Sequence, residues 1–187
     1  MKNKIISLFL NLFLSFIFTL QLNASEQAWD LAQEGNKIIL IRHSIAPGGG
    51  DPSGFKIDDC KSQRNLSKKG INQSKKIGKL FKKNNVPVDQ VLSSQWCRCK
   101  DTAKYAFGDY KEFTALNSTF QSPYNKNEGE QLKELYRYVK KWNGNGKNLV
   151  LVTHYVVISE ILSLGANSGE IIVTNKDYKT LGRIKID

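Results

Sequence analysis

The only two histidines of the chain and two of its arginines fall in three short stretches, and together they have the makings of a phosphoryl-transfer site. Arg42 and His43 close an apolar run over residues 38–41. Arg98 sits within Ser94-Gln95-Trp96-Cys97-Arg98-Cys99-Lys100-Asp101-Thr102-Ala103. His154 follows a second apolar run ending at Thr153. A phosphoryl group carries its charge on non-bridging oxygens, which a guanidinium meets two at a time and an ammonium does not. Arginines from separate segments clamp such a group from two sides. A neutral imidazole with one nitrogen held by a backbone carbonyl keeps the other free to attack phosphorus. A second imidazole then hydrogen-bonds the equatorial oxygens, where charge gathers in the transition state. Arg42 and His43 are neighbours and would point to opposite faces of a strand. They share a pocket only if the backbone turns there, as Ser44 and the following Pro- and Gly-rich loop allow. No Cys-His cluster has ligand spacing, so neither a metal nor a cofactor is expected.

Residues of this kind need rigid elements around them. The pattern predicts a lead-in helix over 26–34, ending at Gly35, and a buried strand over 37–41. Pro47, Gly48, Gly49, Gly50, Asp51, Pro52 and Gly54 mark a long loop. Ser67 is the expected N-cap of a helix with Ile71, Ile77, Leu80 and Phe81 on one face. It ends near Asn84-Asn85, before Pro87. A short strand over 89–92 precedes a helix over 96–107 stopped by Gly108. A strand over 112–116 and a polar loop over 120–127 come next. An amphipathic helix over 128–142 should turn Leu132, Leu135, Tyr136 and Val139 inward. A buried strand over 148–152 leads to a helix opened by His154 and running to Leu164. Segments 170–174 and 181–186 read as closing strands. Helices alternating with apolar strands predict an α/β fold, a three-layer α/β/α sandwich on a mostly parallel central sheet.

A chain of 187 residues suits one domain with a core. The net charge of +11 comes mostly from lysines on predicted helix surfaces, among them Lys68, Lys69, Lys75, Lys76, Lys79, Lys82 and Lys83. No basic block is interleaved with aromatics, so no nucleic-acid partner is expected. Lys2 and Lys4, an apolar stretch over 5–20 and Leu22-Asn23-Ala24 form a targeting segment. It is read as a signal peptide, residues 1–24, ahead of a domain over 25–187 that is exported to the periplasm or secreted. An uncleaved anchor is the alternative, and membrane contact is expected only through this segment. Export permits a disulfide. Cys97 and Cys99, two apart on a predicted helix, face different ways, which leaves Cys60 to bridge to one of them.

The set, taken in order, resembles the histidine phosphatase superfamily, with its phosphoglycerate-mutase-like fold. Arg42-His43-Ser44 corresponds to an Arg-His-Gly signature. Ser94 through Ala103 matches Ser-x-x-x-Arg-Ala-x-Gln-Thr-Ala, and Thr153-His154 follows the expected strand. Arg64-Asn65-Leu66-Ser67-Lys68-Lys69-Gly70 with Gln73 is similar to Arg-x-Leu-Thr-x-x-Gly-x-x-Gln. The likeness spans residues 37–174. It implies His43 as the phosphorylated nucleophile, with Arg42, Arg98 and His154 completing the phosphate pocket and Arg64 bordering it. If Arg98 is not in that pocket, Asp101 one turn on is its natural partner. Two departures stand out. Ser44 replaces Gly, costing roughly 1 kcal/mol if positive φ is needed. The acid segment is missing, since Leu116-Asn117-Ser118 has no Glu and Tyr155 stands where another branch has Asp. Asp51, Asp58, Asp59, Glu128 and Glu130 are the carboxylates in reach, so the general acid stays open. The implied activity is an exported, metal-independent phosphatase acting through a phosphohistidine intermediate. Its implied partner is a small phosphorylated substrate or a phosphorylated envelope component such as a cell-surface sugar. The alternative is a weak or inactive phosphate-binding member of the same fold in the cell envelope. Specificity is expected in loops 47–63 and 120–127.

Overall fold

The computed structural model describes residues 24–186. The expected targeting segment lies, apart from Ala24, outside the described residues. Helix α1 occupies residues 24–33, and strand β1 follows at Ile38–Arg42. The chain then runs through α2 (Lys68–Lys83), β2 (Val88–Ser93), α3 (Cys97–Phe107) and β3 (Lys111–Glu112). It continues with α4 (Glu128–Lys141), β4 (Asn148–Thr153), α5 (Tyr155–Leu162), β5 (Ile171–Thr174) and β6 (Thr180–Ile184).

The six strands form one sheet in the order β3-β2-β4-β1-β5-β6. Strands β3, β2, β4 and β1 are parallel, and β5 and β6 add as antiparallel pairs. The central strands are apolar on both faces, as helix cover on both sides requires. Ile39, Ile41, Val150 and Val152 pack against Ala28 and Ala32 of α1, Ile77 and Phe81 of α2, and Ala103 and Ala106 of α3. Ile38, Leu40, Leu149 and Leu151 pack against Leu135 and Val139 of α4 and Ile158 of α5. The result is the expected three-layer sandwich.

Parallel pairing aligns Arg42 with Thr153 and Ser93 with Val152. The carboxyl ends of β1, β2 and β4 therefore meet at one sheet edge. From there α2 and α3 depart on one face and α5 on the other. The crevice at such a reversal of strand connection is where open α/β sheets bind ligands.

Two local expectations are corrected. Residues 112–116 are not a strand. Only Lys111–Glu112 pairs with β2, and Thr114–Leu116 closes into a 3₁₀ turn that buries Ala115 and Leu116. Tyr136 is not inward but exposed, with its ring against Tyr178. The inward stripe of α4 is Leu135 and Val139, with Tyr138 half-buried beside Phe113. The loop over 120–127 also ends in a 3₁₀ turn, Tyr124–Asn127. Ser67 caps α2 as expected, accepting from the Gly70 N–H at 3.1 Å. Gly70 itself lies where a Cβ would collide with the Ile45 carbonyl, so α2 approaches the post-β1 loop closely only because this residue is Gly.

Candidate active site

Arg42 ends β1, and the backbone leaves the sheet immediately afterwards. The His43 N–H still bonds the Thr153 carbonyl at 2.9 Å, and the chain then enters the glycine-rich loop. Both side chains line one cavity of about 280 Å³, with Arg64, Arg98 and His154. Each of the five sequence-derived candidates is thus brought to the same site. Ser44 does not adopt positive φ, so the strain allowed for at that position is absent. Its hydroxyl and N–H are tied instead to Ser74 and Thr102, at 2.8 and 2.9 Å.

The His43 ring is 2 % exposed. Its Nδ1 lies 2.8 Å from the Ser44 carbonyl oxygen. A carbonyl only accepts, so Nδ1 carries the proton and Nε2 keeps its lone pair. Burial, followed by the positive charge of Arg98, holds the His43 imidazole well below its ordinary range. Arg42 and Arg64 act the same way, and the bond to Ser44 opposes them. The ring is therefore neutral at neutral pH, the form that can attack phosphorus. His154 caps α5 with its centroid 5.5 Å from that of His43. Burial, then Arg98 and His43, hold it low as well. Its Nε2 meets the Ser94 hydroxyl at 2.8 Å, and Ser94 in turn meets Asn117 Oδ1 at 3.2 Å.

The arginines are fixed from behind. Arg42 donates to the Ala166 carbonyl at 2.8 Å, and its guanidinium carbon lies 5.4 Å from the Tyr155 ring centre. Arg64 donates through Nε to the Gly50 carbonyl at 2.7 Å and through Nη1 to the Ala46 carbonyl. Arg98 pairs through Nη1 with Asp51, at 2.8 and 3.1 Å to the two carboxylate oxygens. The Asp101 alternative does not occur. Nε of Arg42 and Nε of Arg98 are buried without a hydrogen-bond partner among the described residues. Buried donors without partners are uncommon, and both belong to arginines that line the cavity, where their positive charge suits an anion. The amino ends of α3 and α5 start at the same place, adding the positive pole that favours anions there.

The carboxylates separate clearly. Asp51 is the one, among the described residues, that lines the cavity, and its side chain is 2 % exposed. Burial works to raise its carboxyl. Hydrogen bonds from Arg98, from the Arg64 N–H and from Trp96 Nε1, with the Arg98 charge, outweigh burial and hold it below the usual carboxylate value. It stays ionised and engaged, which is the opposite of a general acid. Asp58, Glu128 and Glu130 are exposed, and Asp59 caps the turn Cys60–Ser62. Cys60 is bridged to Cys97, not to Cys99. The bridge ties the loop to α3 one residue before Arg98, and Gln63 Oε1 accepts from the Cys97 N–H at 3.0 Å. Cys99 is buried and free, its thiol pushed up to about 12 by burial. Sequence reasoning missed Ser94 as the partner of His154 and Asp51 as the partner of Arg98. It also missed Tyr155 as a cavity wall, whereas Phe120 and Gln121 line the cavity from the loop in which specificity was expected.

No family model matches the sequence, and no curated protein is similar to it at a significant level. Solved structures are similar in fold. Phosphoglycerate mutase from Thermus thermophilus superposes with a TM-score of 0.59 at 16 % identity, over 81 % of this chain and 99 % of that one. A structure from Agrobacterium tumefaciens, provisionally named phosphohistidine phosphatase SixA, gives 0.55 at 17 % identity, over 81 % and 99 %. The protein histidine phosphatase SixA complexed with tungstate gives 0.52 at 11 % identity, over 81 % and 96 %. With its six-stranded, mostly parallel sheet between two helical layers, the chain has the phosphoglycerate-mutase-like fold, shared with solved histidine phosphatases.

Proposed function

We propose that this chain is an exported, metal-independent phosphatase that hydrolyses phosphoesters through a phosphohistidine on His43. The observation that carries this reading is the convergence in one cavity of a neutral, Nδ1-protonated His43 with His154, Arg42 and Arg98. In the first step Nε2 of His43 attacks phosphorus. The N–P bond forms as the P–O bond breaks, and the leaving group departs with that electron pair. Arg42, Arg98 and His154 hold the phosphoryl oxygens as charge spreads over them, and Arg64 borders the group. In the second step a water oxygen attacks phosphorus, the N–P bond breaks, and inorganic phosphate leaves. A protein of the same fold is complexed with tungstate, which supports oxyanion binding as the reading for this chain. The Cys60–Cys97 disulfide supports an oxidising compartment, and with the sequence of residues 1–24 it supports export.

Among the described residues, no carboxyl in the cavity is placed to protonate a leaving group, because Asp51 is held ionised by Arg98. Substrates with good leaving groups fit this arrangement. The same observation favours a second reading, a phosphate-binding protein with little turnover. Hydrolysis of 4-nitrophenyl phosphate by the purified protein in excess chelator, beside His43→Ala, tests the choice. Turnover lost in the variant supports the phosphatase. Absent turnover with intact phosphate binding supports the second reading.

A further inference from the structure

We infer that the site selects phosphate monoesters whose departing group is planar, free of further charged substituents and weakly basic, an aryl or enol type of phosphate and not a sugar phosphate or bisphosphate. This rests on the phosphatase reading above, which assigns the arginines and histidines to the phosphoryl group. The remaining walls decide what can sit beyond it.

Those walls offer little to a polar ligand. Asp51 is engaged by Arg98 and Trp96, at 2.8 and 2.9 Å. Both ends of the Gln121 amide are engaged by the Asp51 backbone: Oε1 accepts from its N–H at 2.9 Å, and Nε2 donates to its carbonyl at 3.4 Å. Gly48, Gly49 and Gly50 contribute no side chains. What remains of the side chains is the hydroxyls of Ser118 and Tyr155 and the apolar surfaces of Phe120, Tyr155 and Val156. A second phosphate or a carboxylate on the substrate would find no further cation among the described residues there. A sugar would lose its hydration without gaining matched partners.

The aromatic pair is the positive half of the case. Phe120 and Tyr155 are 64 % and 46 % exposed, and both line this cavity. Phe120 lies beside the glycine-rich loop, where a Cβ on Gly50 would lie 3.5 Å from its Cε1. Tyr155 is braced between Arg42 and Gly165. Exposed rings lining a phosphate pocket suit stacking with a flat group. A volume of about 280 Å³ leaves room for a ring beyond the phosphoryl group. The missing acid completes the case, since a leaving group that departs unprotonated must be a weak base.

Inhibition by competing ligands, two of them non-hydrolysable phosphonates, separates stacking from leaving-group reactivity. Acetyl phosphate serves as reporter substrate for the purified protein, with phenylphosphonate, methylphosphonate and glucose 6-phosphate as competitors. Phenylphosphonate is expected to inhibit about tenfold more tightly than methylphosphonate. Phe120→Ala should remove most of that difference, and glucose 6-phosphate should do no better than methylphosphonate. Equal inhibition by the two phosphonates, or tighter inhibition by the sugar phosphate, overturns the inference while leaving the phosphatase intact. If acetyl phosphate is not turned over, the catalytic reading fails. The same ligands in a thermal-shift titration then decide the binding preference by the same criteria.

Discussion

Asp51 crosses from the glycine-rich loop to Arg98 on α3, so that a single guanidinium nitrogen lies 2.8 and 3.1 Å from the two carboxylate oxygens. The pair is almost fully buried. The same carboxylate accepts from Trp96 Nε1 and from the Arg64 N–H, both at 2.9 Å. One side chain thereby orients two arginines of the cavity. Three arginines against one carboxylate also leave the cavity net positive, as a phosphate dianion requires.

Asp51→Asn should lower kcat/KM by about 10- to 100-fold, because a buried guanidinium that loses its charge partner no longer holds its place. The loss should be similar for aryl and alkyl phosphates. A general acid would behave differently, with a steep loss for alkyl phosphates and little for 4-nitrophenyl phosphate. Steady-state kinetics on both substrate types decides between the two roles.

Ser94→Ala should cost about 1–3 kcal/mol in the barrier, because it strips the hydroxyl that meets His154 Nε2. The effect should fall on kcat more than on KM, since the phosphate is still clamped by the arginines. A variant with unchanged kcat would remove Ser94 from the positioning of His154.

Acid should destabilise the fold through the two histidines. Both have folded-state values depressed below the usual 6.5 by burial and by neighbouring positive charge. Below about pH 6.5 the unfolded chain takes up protons that the folded chain refuses, so stability is fully present above that pH and falls as pH drops toward the folded values. Asp51 adds a loss at lower pH, as its depressed carboxyl is finally protonated. Denaturant melts between pH 5 and 7.5 should show this slope, and His43→Asn should flatten it.

Reducing the Cys60–Cys97 bridge releases a loop with a sequence separation of 37, worth ~4 kcal/mol in the chain-entropy description. The double variant Cys60→Ser, Cys97→Ser should melt well below the wild type. Added phosphate should still raise its melting temperature, because Arg42, His43 and His154 stand on elements that the bridge does not touch. A melting temperature insensitive to reductant would contradict this.

The fold was legible because β1 and β4 are continuous apolar runs and α2 has a clean cap and stripe. The four central site residues were legible because each lies at or shortly after the carboxyl end of a strand, where the parallel sheet collects them. The rest depends on contacts between distant segments. Asp51 is an ordinary loop carboxylate until the loop folds onto α3, 47 residues on. Choosing Cys97 over Cys99 for Cys60 required the rotation of α3, which turns Cys99 toward the sheet core and His154. Tyr136 fits the apolar period of α4 but sits one step past the buried stripe, where Tyr138 meets Gln90 instead. The segment after β3 lacks a strand because Thr153 donates to the Leu116 carbonyl at 2.7 Å, drawing the chain into a turn.

The most direct test is a mass-spectrometric search for the covalent intermediate. The purified protein is mixed with excess acetyl phosphate in chelator, quenched in alkali, digested and sequenced. A single phosphoryl group on the peptide carrying His43, absent from His43→Ala and retained in Asp51→Asn, is the predicted result. Steady hydrolysis with no phosphoryl group on His43, or a phosphoryl group on His154 instead, would contradict the assignment of His43 as nucleophile.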